Sequence, residues 1–427
     1  FRRVLFRSMN DRPTLDPTNA QTAAAHATSA APQPTNAMPR PLAGVRVLDL
    51  SRVLAGPWAG QLLADYGADV IKVERPGAGD DTRAWGPPWW TAGERTESAY
   101  YLCANRGKRS IAIDIATPDG QALVRSLARE ADIVIENYRV GQLAKYGLDY
   151  ASLAQINPRL VYCSITGFGQ TGPYAQRAGY DFAIQAYGGL MSITGAPDAE
   201  PQKVGVAVVD LMTGVYAATA LLACLYEAAR TGRGRHIDAS LLDVQVAMLA
   251  NQASNFLVSG KAPKRLGNAH PNIVPYQAFP TADGHLVLAV GNDAQFVKFC
   301  DCAGCPELAR DARYTTNASR VAHRADLIPQ VQAVLRTRTT SAWVDLLEEA
   351  GVPCAPIHDI AQVIDDPHVR ARGLQVDLAS DDGAPVPGVG NPMCIDGVRM
   401  HAESAPPRLD EHGAEIRSTI GYSGGWR

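Results

Sequence analysis

Asp210 follows an apolar run, 204–209, and directly precedes Leu211-Met212-Thr213-Gly214-Val215-Tyr216, which has the composition of a helix. A carboxylate at the junction of a predicted strand and a predicted helix suits two kinds of work. As an N-cap it accepts a hydrogen bond from a backbone N–H of the first turn. As a nucleophile it uses the same position differently: the positive end of the helix favours its ionised form at neutral pH, and apolar flanks leave it poorly hydrated and reactive. The residue types alone leave both readings open.

Other patterns also invite chemistry. Gly167-Phe168-Gly169-Gln170-Thr171-Gly172 fits the G-x-G-x-x-G of dinucleotide sites and follows a predicted strand, so a nicotinamide-dependent oxidoreductase is one alternative. Pro173 argues against it, because a proline inside the phosphate-binding helix costs ~3 kcal/mol. Gly421-Tyr422-Ser423-Gly424-Gly425 fits the G-x-S-x-G elbow of serine hydrolases, but only Trp426 and Arg427 follow, too few for the helix which that elbow requires. Cys300, Cys302 and Cys305 form C-x-C-x-x-C without an evident fourth ligand, and are read as ordinary thiols rather than a metal site. The sequence holds no Walker A loop and no H-E-x-x-H.

The chain that must position such groups has 427 residues, 46% hydrophobic and 19% charged, enough for a large core and more than one domain. Its formal net charge of -3 is spread over interspersed residues, with no basic block to follow a polyanion, so nucleic acid is not an expected partner. The eight cysteines lack the spacing of a disulfide framework, which fits a reducing, cytoplasmic setting. The apolar stretch 211–224 is broken by Thr213, Gly214 and Thr219; it reads as a buried core helix, too short and mixed to span a bilayer. Residues 1–8 carry three arginines ahead of Met9 but no apolar core of a signal peptide.

Residues 1–40 are rich in Ala, Thr, Pro and Gln and are expected to form a disordered arm. A buried strand is predicted over 45–50, a helix to about 66 and a second strand over 69–74, a βαβ unit. Further strands are predicted over 110–113, 133–135 and 160–165, which gives an α/β fold with a doubly wound, Rossmann-like parallel sheet. After a helix from about 211 and a short strand before 238, the pattern over 239–256 is again helical. Residues 275–290 alternate around Asp283-Gly284 like a hairpin, and helices follow over 293–350, together suggesting a second, smaller α/β domain. From 354 onward the chain reads as Pro-rich and irregular. The expected division is therefore an arm over 1–40, a large domain over 41–230, a linker helix and small domain over 231–350, and a return to the large domain over 351–427.

Six segments carry a resemblance to one family: Pro41-Leu42-Ala43-Gly44-Val45-Arg46-Val47-Leu48-Asp49-Leu50, Val53-Leu54-Ala55-Gly56-Pro57, Gly67-Ala68-Asp69-Val70-Ile71-Lys72-Val73-Glu74, Asn105-Arg106-Gly107-Lys108-Arg109-Ser110, Glu136-Asn137-Tyr138 and Gly232-Arg233-Gly234. In this order they resemble the class III CoA-transferases. The resemblance implies a transferase that moves coenzyme A from an acyl-CoA to a free carboxylic acid, with CoA as substrate and no permanently bound cofactor. It places the nucleophile at Asp210, which would carry CoA as an aspartyl thioester. It assigns CoA contacts to Leu54, Ala55, Arg75, Ile113, Asn137, Tyr138, Lys145 and Tyr180, and it implies an interlocked homodimer. Leu54 stands where formyl-CoA transferase has a Gln, and that enzyme's glycine-run loop is replaced by a segment containing His270. This segment is closer to that of succinyl-CoA:glutarate CoA-transferase, so a dicarboxylate acceptor is expected, with His270 either binding it or ordering a Pro-flanked turn. Racemisation is the strongest competing reading: in the related α-methylacyl-CoA racemases a catalytic His occupies the place of Tyr180, and a phenol of pKa about 10, a poor base at neutral pH, argues against it here.

Overall fold

The computed structural model describes residues 38–419 and 426. The expected disordered arm, apart from its last three positions, and the 421–425 motif lie outside the described residues.

Six strands form one parallel sheet: β1 (Arg46–Asp49), β2 (Asp69–Glu74), β3 (Lys108–Ala112), β4 (Ile133–Glu136), β5 (Val161–Thr166) and β6 (His236–Ser240). Their order is β3-β2-β1-β4-β5-β6. The inner strands β4 and β5 are mostly apolar because both faces are covered. Val47, Val70, Ile133, Ile135, Val161 and Cys163 point into one core, and Leu48, Ile71, Val134 and Tyr162 into the other. The first core is closed by α1 (Ala55–Asp65) and, further along the chain, a 24-residue helix, Val208–Thr231; the second takes Val124, Leu127 and Ala128 from the helix Pro118–Glu130. The chain leaves β1 to one side and returns at β4 on the other, so the loops after these two strands diverge and open a crevice at their carboxyl ends.

The helix Val208–Thr231 corrects the expectation for 211–224. It is longer than the apolar stretch and, with mean hydropathy 1.8, long and apolar enough to cross a membrane by length and composition. It is also not a fully buried core helix. Val209, Thr213, Gly214, Ala217 and Leu221 form its buried face, while Val215, Tyr216 and Tyr226 are exposed. The expected single helix over 239–256 is two, Leu241–Met248 and Ala250–Ser259, the second opening on Ala250 at φ +42°. After Gly172, where a dinucleotide site needs a helix, the chain stays irregular until the helix Asp181–Tyr187.

A second, three-stranded antiparallel sheet holds β7 (Tyr276–Pro280), β8 (His285–Ala289) and β9 (Cys354–Pro356). Phe279, Leu286, Leu288, Phe296, Phe299 and Trp343 fill its core, together with Cys300 and Cys305. The segment after 354, expected to be irregular, thus begins as a strand of this sheet. It continues through two short hairpins and then returns to the first sheet. Arg83 donates to the Pro407 carbonyl at 3.0 Å, His412 N–H donates to the Ser110 carbonyl at 3.0 Å, and Ile416 and Trp426 enter the second core of the parallel sheet.

Candidate active site

The crevice is built on buried charge. Lys72 interrupts the apolar run of β2 and Lys108 opens β3, and their side chains are fully buried. Lys72 Nζ lies 2.8 Å from Asp80 Oδ2 and donates to the Ser51 carbonyl at 2.9 Å. Lys108 Nζ donates to Asp49 Oδ2 at 2.8 Å, to the Pro57 carbonyl at 2.9 Å and to Asn105 Oδ1 at 3.0 Å. Asp49 accepts from the Ser51 N–H, and Asp80 accepts from the Val53 N–H at 3.2 Å. Together these bonds hold the turn between β1 and α1 and the first turn of α1. Within the former, Val53 sits at φ +71°, a conformation a β-branched residue adopts only when its surroundings impose it. No side chain caps the N-terminus of α1 at Leu54.

The loop after β4 is clamped to this turn. Asn137 Oδ1 accepts from the Arg52 N–H at 2.9 Å, and Asn137 Nδ2 donates to the Arg52 carbonyl at 2.6 Å. The Arg52 guanidinium lies 5.6 Å from the Tyr138 ring centre and pairs with Asp81 at 2.8 Å.

Asp210 lies in the first turn of α4, the label used from here for Val208–Thr231 (α2 being Pro118–Glu130 and α3 Asp181–Tyr187). Residues 204–207 are not a strand, and the N-cap is Ala207. The capping acceptor comes instead from α3: Asp181 Oδ1 accepts from the Val209 N–H at 2.7 Å and from the Asp210 N–H at 3.3 Å. Asp181 is held in turn by Gln185 Nε2, 2.6 Å from its Oδ2, and Gln185 Oε1 accepts from the Val204 N–H. The N-cap reading of Asp210 is therefore replaced, and its carboxylate is left without a capping task. The expectation that the helix end keeps it ionised at neutral pH is corrected too. Burial, and then the negative charge of Asp181, push its pKa up to about 7. Tyr100, from the short helix Ala99–Leu102, is pushed up to about 12 by burial and by Asp210.

Leu54, Ala55, Asn137, Tyr138, Tyr180 and Asp210 line one cavity of about 250 Å³, together with Arg52, Arg139 and Arg177. Arg75, Ile113 and Tyr138 line a second, of about 220 Å³, which also contains Arg52 and Gln142 and so adjoins the first. Lys145 is not brought into either; it is exposed, with its Nζ 4.7 Å from the Tyr146 ring centre. His270 lines neither cavity; its Nδ1 accepts from the Asn272 N–H at 3.1 Å and it packs on Tyr276, so it orders its own turn. Sequence reasoning missed Asp181, Lys72, Lys108, Asp80 and Arg52 as parts of the site. Of these Lys72 carried a visible signal, a lysine inside an apolar strand, which demands a buried partner; Lys108, at the head of a strand that continues with Arg109 and Ser110, and Asp181 carried none. Among the described residues no group of three or more His, Cys, Asp or Glu side chains is placed to hold a metal.

The chain matches, over residues 42–413, the family described as CoA-transferase family III. It is 56% identical over 387 residues to a succinate–glutarate CoA-transferase of Agrobacterium fabrum, covering 89% of this chain and 96% of that one. It is 45% identical over 381 residues to the succinyl-CoA:glutarate CoA-transferase of Homo sapiens, covering 89% and 86%. A crystal structure described as a CAIB/BAIF family protein from Brucella suis superposes with a TM-score of 0.80 at 51% identity, covering 90% of this chain and all of that one.

Proposed function

The chain belongs to CoA-transferase family III and is an enzyme that transfers coenzyme A, and from that premise we propose that it carries CoA from succinyl-CoA to glutarate through a thioester on Asp210. The observation that carries the reading is the placement of Asp210. It is a half-buried carboxylate in the first turn of α4, relieved of capping by Asp181, in one cavity with five of the eight expected CoA contacts, Leu54, Ala55, Asn137, Tyr138 and Tyr180.

The exchange runs in balanced steps. An Asp210 oxygen attacks the succinyl thioester carbonyl, the C–S bond breaks, and a mixed anhydride and CoA thiolate result. The thiolate attacks the aspartyl carbonyl and releases succinate, leaving CoA on Asp210. A glutarate carboxylate then attacks the aspartyl thioester, and the returning thiolate takes the glutaryl group, which restores Asp210. One thioester is consumed and one is formed, so no outside energy source is required. The protein's tasks are to stabilise oxyanions and to exclude water. The N-terminus of α1, which no side chain caps and whose first residue Ala55 lines the cavity with Asp210, offers backbone N–H groups for the first task. Arg52, Arg139 and Arg177 offer charge to CoA phosphates or to the distal carboxylate of a dicarboxylic acid.

The strand order supports a doubly wound, Rossmann-like sheet. The exposed Val215, Tyr216, Tyr226, Leu257 and Val258 support a homodimer, since a single chain leaves these apolar side chains in water. Eight unpaired cysteines accord with a reducing, cytoplasmic location. The decisive experiment incubates the enzyme with succinyl-CoA and hydroxylamine and maps peptides. A hydroxamate on Asp210, and loss of exchange in Asp210→Ala, are expected; wild-type exchange in Asp210→Ala refutes the mechanism. Succinyl-CoA offered with a panel of mono- and dicarboxylic acids tests the acceptor, and preference for a monocarboxylate refutes glutarate.

A further inference from the structure

We propose that Asp181 is a positioning residue of the transfer reaction, fixing the first turn of α4 through two backbone N–H groups and placing a negative charge beside the nucleophilic carboxylate of Asp210. The inference rests on the reading of Asp210 as the acylated residue and goes beyond it by assigning a second carboxylate to the same chemistry.

The geometry carries it. Asp181 is buried, at the start of α3, and one of its oxygens spans the Val209 and Asp210 N–H groups at 2.7 and 3.3 Å. A Ser, Thr, Asn or Asp within the helix's own sequence is the ordinary device for this task. Here the acceptor is imported from another helix, and its charge comes with it. Its second oxygen is tied by Gln185 at 2.6 Å, so the carboxylate has little freedom to turn away.

The charged and titratable groups around Asp210 are few. Asp181 faces it from α3 and Tyr100 from the short helix Ala99–Leu102; Arg52, Arg139, Arg177, Tyr138 and Tyr180 line the same cavity. Of α1, only Ala55, which carries no charge, lines the cavity that holds Asp210. Burial and Asp181 both favour the neutral form of Asp210, in keeping with its raised pKa of about 7. A carboxylate that binds its proton this tightly is a stronger nucleophile whenever it is ionised, and a pKa near the working pH combines that strength with an adequate ionised fraction.

The test is the pH profile of kcat/KM for succinyl-CoA in the full-length enzyme. Asp181→Asn keeps the oxygen that caps α4 and removes the charge. Asp181→Ser removes the charge as well and offers a shorter acceptor. Asp181→Glu keeps the charge and displaces the acceptor. Removing a like charge next to Asp210 is expected to lower the acid limb by about one pH unit, which raises relative activity at pH 6 roughly fivefold. Asp181→Glu is expected to leave the limb in place while kcat falls about tenfold through misplacement of Asp210. An acid limb unmoved in both charge-removing variants overturns the proposal. Hydroxylamine labelling of Asp210 in the wild type separates the two levels: no label there defeats the nucleophile assignment itself, whereas a label with an unmoved limb defeats only the role of Asp181.

Discussion

Gly214 lies one helical turn beyond Asp210, at the point where α4 crosses α1. A Cβ added there would stand 2.8 Å from the Ala55 carbonyl oxygen and 2.9 and 3.0 Å from Trp58 side-chain carbons. Ordinary contacts of carbon begin near 3.5 Å, so Gly214→Ala must separate the two helices by about 0.5 Å or more. The backbone oxygen cannot move aside as a side-chain tip would. Overpacking of this kind costs about 1–3 kcal/mol. The same displacement draws Asp210 away from Ala55, which lines its cavity, and misplacement by about 1 Å can cost 10²-fold in rate, so a loss of kcat of about tenfold or more is expected. Gly232→Ala is the control. That residue ends the same helix at φ +73° with nothing within 4 Å of the place a Cβ would take, so alanine there meets left-handed strain of about 1–2 kcal/mol without steric contact. Urea unfolding followed by tryptophan fluorescence, paired with steady-state exchange between succinyl-CoA and glutarate, reads both effects. Gly232→Ala should lower the midpoint and keep kcat; Gly214→Ala should lower both. A Gly214→Ala enzyme with wild-type kcat would refute the claim that the close crossing of α1 and α4 sets the position of Asp210 for the reaction.

Three more outcomes follow from the same geometry. Lys72→Met leaves Asp80 buried without its counter-ion and should destabilise the fold by about 3–5 kcal/mol, read as a lower urea midpoint, with a higher KM for succinyl-CoA because Ser51 loses its anchor. Burial raises the pKa of Asp80, but the charge of Lys72 and the hydrogen bonds from Lys72 and Thr82 overcome this and hold it at about 2, below the ordinary 3.8. The stability this group contributes, about 2 kcal/mol, is therefore complete above about pH 4 and is lost as pH falls through about 2, which acid unfolding of wild type against Asp80→Asn would display. Asn137→Ala removes both hydrogen bonds between the loops after β1 and β4; KM for succinyl-CoA should rise more than kcat falls, and an unchanged KM would show that the clamp does not shape the CoA cavity.

How far the sequence foretold this depends on the range of the forces involved. Strands such as Ile133–Glu136 were legible because burial on both faces writes itself as an apolar run, and the hairpin around Asp283-Gly284 because turn chemistry is local. The refusal of Gly167–Gly172 to open a helix was legible from Pro173 alone. The environment of Asp210 was not. Its place in the helix was missed by three residues, and the decisive neighbour, Asp181, is remote in sequence and meets it only when α3 packs beside the start of α4. Lys145 shows the complementary limit: a position matched along the chain did not translate into a place in the cavity.

The return of the last segment to the first sheet bears on how the protein is made. Ile416 and Trp426 complete a core whose other walls, among them Leu48, Ile71 and Val134, are synthesised roughly three hundred residues earlier. On the ribosome those early strands wait, with one flank unfinished, while the entire second sheet emerges and closes. A translating chain arrested before 410 should therefore engage chaperones and remain sensitive to protease in its amino-terminal half, although every strand of that half has already left the exit tunnel.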